Sequence, residues 1–155
     1  MVDRKNRAIG ARLVRQFLSG EIDSDDFEND WPTKSADRAL RAVGSMIWLF
    51  YDDHRPRRMI GKQAALLEEA ELLERYASFL DSDLAYDWPE DNFSRIAGLG
   101  PLVFLSLGLL WPFDYWIKSR NRKFDERMAA HGDFGVWPFS KPQDWDGKRQ
   151  APYVR

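Results

Sequence analysis

The chain has 155 residues, a formal net charge of -2, 44% hydrophobic and 31% charged residues, and no cysteine. That length suits one domain with a core of its own. The charge balance argues against a nucleic-acid binder, and the lack of Cys removes disulfides, thiol nucleophiles and thiolate metal sites. The charge is uneven: residues 1–95 hold 14 Lys and Arg against 19 Asp and Glu, and residues 96–155 hold 9 against 6. An acidic first part favours a basic partner.

The spacing predicts a first helix over Arg4 to Leu18. Ile9, Leu13 and Phe17 recur at helical intervals, Arg7, Arg12 and Arg15 are expected outside, and Gly20 stops the helix. Glu21 to Asp30 then packs six carboxylates into ten residues. Ser24 or Asp23 can cap a short helical turn with Ile22 and Phe27 inward, and acids in a first turn suit the helix dipole. Asp23 and Asp25 begin like a calcium loop, but Phe27 stands at the third ligand position and the obligatory glycine is missing.

Trp31-Pro32 closes this segment, and Ser35 is expected to cap a helix from Ala36 to about Tyr51. Leu40, Val43, Ile47 and Phe50 face inward in that helix. Met46, Trp48, Leu49 and Tyr51 make its second half apolar nearly all round, which predicts deep packing. In the connector Asp52 to Arg58, His54 beside two Asp lacks further donors for a metal site. A third helix is expected from about Lys62 to Leu80, with Leu66, Ala70, Leu73, Ala77 and Leu80 inward and an acidic opposite face. Asp81 to Asp91 is a second acidic stretch, in which Tyr86 and Trp88 could anchor a partner.

Residues 96–113 carry no ionisable side chain and are apolar on every face of any helix. They form either the buried centre of a bundle or a short membrane span. With Pro101 at a helix start, the clean apolar helix is Leu102 to about Trp111, roughly 15 Å, half a bilayer core. The N-terminal residues also lead into an amphipathic helix without an apolar signal-type run. Both points favour a core helix and the cytoplasm. The alternative is a membrane association through residues 96–117, in the inner membrane with the C-terminus cytoplasmic. Another amphipathic helix is expected over Phe113 to Ala130, ended by His131-Gly132. The tail from Asp133 reads as irregular, with Val136, Trp137, Phe139 and Trp145 tucked in. Four of the seven Trp precede Pro, which reads as punctuation that ends elements.

The expected fold is therefore all-α: a single bundle of about five helices around an apolar central helix, spanning residues 1–132, with an irregular Trp/Pro-rich tail over 133–155. The sequence contains no glycine-rich phosphate loop, His-Glu-x-x-His or Gly-x-Ser-x-Gly, and two isolated His do not build a triad or zinc site. No cofactor or metal is expected.

The pattern Phe17-Leu18, Ile22, Phe27, an aromatic helix ending in Asp52-Asp53 and then a Leu/Glu-rich helix resembles the small helical immunity proteins of the colicin D type. It is also similar to small bacterial helical proteins sharing that opening. The likeness covers roughly residues 8–80. It implies a non-enzymatic acidic bundle that plugs the basic cleft of a toxic nuclease, a protein partner. Its expected contacts are Asp23, Asp25, Asp26, Glu28 and Asp30, with Asp81, Asp83, Asp87, Tyr86 and Trp88 second. The rival readings are a membrane-associated accessory protein and a small carboxylate-dependent enzyme with a pocket near His54 or Asp87.

Overall fold

Asp3 sets the start of the first helix, α1 (Arg4–Leu18). Its carboxylate accepts the Asn6 backbone N–H at 3.1 Å and the Asn6 side-chain amide at 2.7 Å, which satisfies donors that the first helical turn leaves open. At the other end Gly20 adopts φ 71°, and a Cβ there would run into the side chain of Ile60. The left-handed stop therefore needs glycine twice over, for conformation and for space.

The computed structural model describes residues 1–50, 55–89 and 111–146. The protein is an all-α helical bundle, with no strand among the described residues. The apolar stretch expected at the bundle centre lies, apart from its last residues, outside the described residues. Among the described residues, no helix is long and apolar enough to cross a membrane. The chain forms two compact units, Met1–Tyr86 with Lys141–Arg155 and Asp87–Ser140.

In the first unit, α1 is followed by α2 (Ser24–Asp30), α3 (Arg38–Ile47) and α4 (Leu67–Leu80). Arg15 bonds Glu74 and Asp81 while Arg4 reaches Asp83, so α4 runs antiparallel to α1. Arg7 meets Asp37 at the start of α3 and Gly10 faces Leu40 about one turn further on, so α3 runs alongside α1 in the same sense. Leu13, Val14, Phe17, Phe27, Leu40, Val43, Ile47, Leu73, Phe79 and Leu80 fill the space between them. Each such side chain contributes roughly 1.5–3 kcal/mol on leaving water. Trp31 ends α2 in extended backbone and stacks on Phe27 at 4.8 Å, as the Trp-Pro punctuation predicts.

Several expectations need correction. The helix expected over 36–51 is capped by Asp37, whose carboxylate accepts the Ala39 N–H at 2.9 Å. Ser35 instead accepts the Asp37 N–H and donates to Asp3. That helix ends at Ile47, and Trp48–Phe50 tighten into a 3-10 turn. Tightening from 3.6 to 3.0 residues per turn carries side chains off the inward stripe. Trp48 and Leu49 are accordingly exposed, not deeply packed.

The third predicted helix starts at Leu67 rather than Lys62, because Leu66 is extended (φ -64°, ψ 158°) behind a 3-10 turn at Gly61–Gln63. Leu66 and Leu67 are exposed as well. Arg7, expected on the outside, is only 1% exposed.

In the second unit, α5 (Trp111–His131) buries Ile117 and half-buries Phe124 and Met128. The His131 ring Nδ1 sits 2.8 Å from the Arg127 carbonyl, at the helix end where the sequence placed it. Phe134–Val136 form a 3-10 turn closed by Trp137, and the Trp137-Pro138 peptide is cis. Trp137 and Phe139 are buried. Within residues 133–146 the tail carries this turn and one short helix. It ends, among the described residues, in α6 (Pro142–Asp146) of the first unit, where the Arg75 guanidinium lies 5.5 Å from the ring centre of buried Trp145.

Candidate interaction surface

The acidic helix α2 is built by its own carboxylates. Asp23 accepts the N–H groups of Asp25 and Asp26 at 3.1 and 3.0 Å, and Asp26 reaches back to the Asp23 N–H at 3.5 Å. This reciprocal cap lets so short a helix stand. Ser24 and Phe27 are its buried side chains, and Phe27 packs against Phe17 at 5.6 Å. Asp25, Asp26, Glu28 and Asp30 face solvent, with Asp23 half-buried. Among the described residues, none of these five carboxylates joins an ion pair.

The second predicted group is placed differently. Asp81 is held by Arg15 at 2.7 Å and Asp83 by Arg4 at 2.7 Å. Tyr86 is half-buried, edge-on to Phe79 at 6.3 Å with Arg38 5.7 Å from its ring. Trp88 does not stand out as an anchor. It is buried, donates its indole N–H to the Pro138 carbonyl at 2.9 Å, and meets Phe134 edge-on. Asp87 is exposed and belongs, with Trp88, to the second unit. The structure therefore collects the first acidic group on one helix, whereas the second group is scattered and partly engaged.

Sequence reasoning missed a buried ionic cluster at the start of α1. Arg7 Nε donates to Asp37 Oδ2 at 2.6 Å and its other nitrogens reach Asp37 Oδ1 and the carbonyls of Ser82 and Leu84. Burial alone would raise the Asp37 carboxyl, but the hydrogen bonds from Arg7 and from two backbone N–H groups outweigh it. Its pKa lies below the ordinary 3.8. No spacing within one helix could have revealed this pair. Burial pushes the Tyr76 phenol up to about 12, so it stays neutral at physiological pH. Glu74 Oε2 is buried without a hydrogen bond, while its Oε1 takes Arg15.

Among the described residues, no group of three or more His, Asp or Glu side chains is placed to hold a metal ion; His54 lies outside them. The side of α5 with Trp116, Arg120, Lys123, Phe124 and Arg127 lines a shallow depression of about 340 Å³. No family model, curated protein or solved structure matches this chain.

Proposed function

We propose that this chain is a non-enzymatic interaction protein of the immunity type, acting in the cytoplasm by binding a basic toxin domain through α2. One observation carries the reading. Five carboxylates between Asp23 and Asp30 lie on one well-capped helix and, among the described residues, have no cationic partner. Such a field attracts and orients a basic surface, raising the association rate and suppressing wrong partners.

The test compares the natural chain with Asp25→Lys/Glu28→Lys/Asp30→Lys, which spares the capping carboxylates of Asp23 and Asp26. Where a toxin-like reading frame neighbours this gene, both are titrated calorimetrically into its basic nuclease domain. The natural chain is expected to bind and to block cleavage, and the triple variant to lose at least about tenfold in affinity, more at low salt than at high. Equal affinities would remove α2 from the interface.

A second reading has its own observation. Tyr115 and Trp116 are exposed on α5, beside Lys118, Arg120, Arg122 and Lys123. Aromatic and cationic side chains together suit a bilayer surface, which would make the protein a membrane-associated accessory. Cell fractionation separates the two: the first reading expects the untagged chain in the supernatant without detergent, the second in the membrane pellet.

A further inference from the structure

The helix directions put four helix ends at one pole of the first unit: the C-termini of α1 and α3 and the N-termini of α2 and α4. Arg57 ties them together. Its backbone N–H donates to Ser24 Oγ at 3.0 Å, and its carbonyl accepts the Ser24 N–H at 3.0 Å. Its guanidinium donates to the Phe50 carbonyl at 3.1 Å and to Glu69 Oε2 at 3.1 Å, and Glu69 also accepts the Leu66 N–H. Next along the connector, Arg58 donates to the Glu21 carbonyl at 2.6 Å.

Five large apolar side chains sit on the segments so joined, and all are well exposed: Trp48 60%, Leu49 75%, Ile60 54%, Leu66 70% and Leu67 78%. Single exposed apolar residues are ordinary, but a group gathered from three chain segments onto one pole marks an interaction surface. The same pole carries the start of α2 with Asp25 and Asp26, and Glu68 of α4. The cations Arg55, Arg58 and Lys62 share the connector. Arg57 is neutralised by Glu69, and the carboxylates of Glu21, Asp23, Asp25, Asp26 and Glu68 outnumber the rest.

We infer that this pole is a docking surface for a basic, amphipathic segment of a partner protein. Leu49, Leu66, Leu67, Trp48 and Ile60 take its apolar face, and the acids of α2 take its cations. The inference rests on the acidic-surface reading above and adds the apolar anchors and the shape of the partner. An acidic rim around apolar anchors selects a basic partner by charge complementarity. The Arg57 bonds hold the anchors in place beforehand, which lowers the ordering cost of binding. The anchors and the acids lie on chain ends that the Arg57 bonds join, so one partner segment can reach both.

The probe is a short helical Lys/Leu amphipathic peptide, compared with a Lys/Ser peptide of equal charge and a Glu/Leu peptide of equal apolarity. All are titrated into the full chain and followed by calorimetry, with hydrogen exchange to locate protection. The Lys/Leu peptide is expected to bind at least tenfold tighter than Lys/Ser, to protect residues 48–50 and 60–67, and to outbind Glu/Leu. Leu49→Ser/Leu67→Ser changes two exposed positions and should abolish the Lys/Leu advantage while leaving the weaker Lys/Ser binding intact.

If that variant binds Lys/Leu as tightly as the natural chain, the apolar anchors are wrong and the acidic reading survives. If Asp25→Lys/Glu28→Lys/Asp30→Lys leaves Lys/Ser and Lys/Leu binding unchanged, the acidic reading falls and the inference with it. Glu/Leu binding as tight as Lys/Leu would show mere stickiness and overturn the proposal.

Discussion

Arg7 and Asp37 come from different helices and meet where both are about 2% exposed. A buried pair of this kind gives little net stability over an apolar replacement, but breaking it leaves one charge stranded. Asp37→Asn keeps the shape and removes the charge that Arg7 needs, so urea unfolding at neutral pH should show a loss of about 3 kcal/mol. Arg7→Met/Asp37→Asn removes both charges while keeping an oxygen to accept the Ala39 N–H that caps α3, and should recover most of it. A loss as large in the double variant would mean that the pair itself, not the stranded charge, holds the fold.

The carboxyl of Asp37 is held below 3.8 in the folded protein, so the unfolded chain takes up this proton first as pH falls. The stability it supplies is intact above about pH 5 and is lost as pH drops through 3.8 toward its lower folded value. The urea midpoint of the natural chain should therefore decline over that window, and that of Asp37→Asn should decline less.

At the scale of the helices, the tight spot is Trp31, lodged where α1 and α3 both offer glycine. A Cβ on Gly44 would lie 2.6 Å from the indole nitrogen, and one on Gly10 would lie 2.9 Å from Leu40 and 3.2 Å from Trp31. Alanine is the better helix former by about 1 kcal/mol, but overpacking costs about 1–3 kcal/mol. Gly44→Ala should thus come out destabilising, read from the urea midpoint together with changed Trp fluorescence. A gain in stability would show that the indole swings out freely. The elements that the sequence revealed well are those whose signals are local. The bounds of α1 were legible, because its apolar stripe lies within it and Gly20 just beyond its end, and α2 was legible because Asp23 caps its own turn. The end of α3 and the start of α4 were not, because the 3-10 turn at Trp48 and the extended Leu66 are fixed by Arg57, through bonds to Phe50 and Glu69. Trp88 was misread as an anchor for the same reason. Its burial depends on Pro138 and Phe134, some fifty positions away. Of the candidate site, the acids of α2 were readable and the exposed leucines beside them were not.

The first unit as a whole has poles of opposite character. One end gathers Asp3, Arg7, Asp37, Ser82 and Asp83 into hydrogen bonds and ion pairs. The other exposes Trp48, Leu49, Leu66 and Leu67 beside the acids of α2. α1, α3 and α4 run between them around one apolar core, so the buried ion pair and the proposed binding surface lie at opposite ends of the same helices. Energetic effects at separated sites with no shared partners add, to within about 0.5 kcal/mol. Asp37→Asn should therefore lower the thermal midpoint yet leave the affinity for the Lys/Leu peptide within about twofold at temperatures where the variant is folded. The peptide, by binding only the folded state, should raise the midpoints of natural chain and variant alike. Calorimetric titration and thermal unfolding of both proteins, with and without peptide, give all four corners of this cycle. A tenfold loss of affinity in Asp37→Asn would show that the ionic pole sets the geometry of the apolar one, and that α1, α3 and α4 transmit strain along their length.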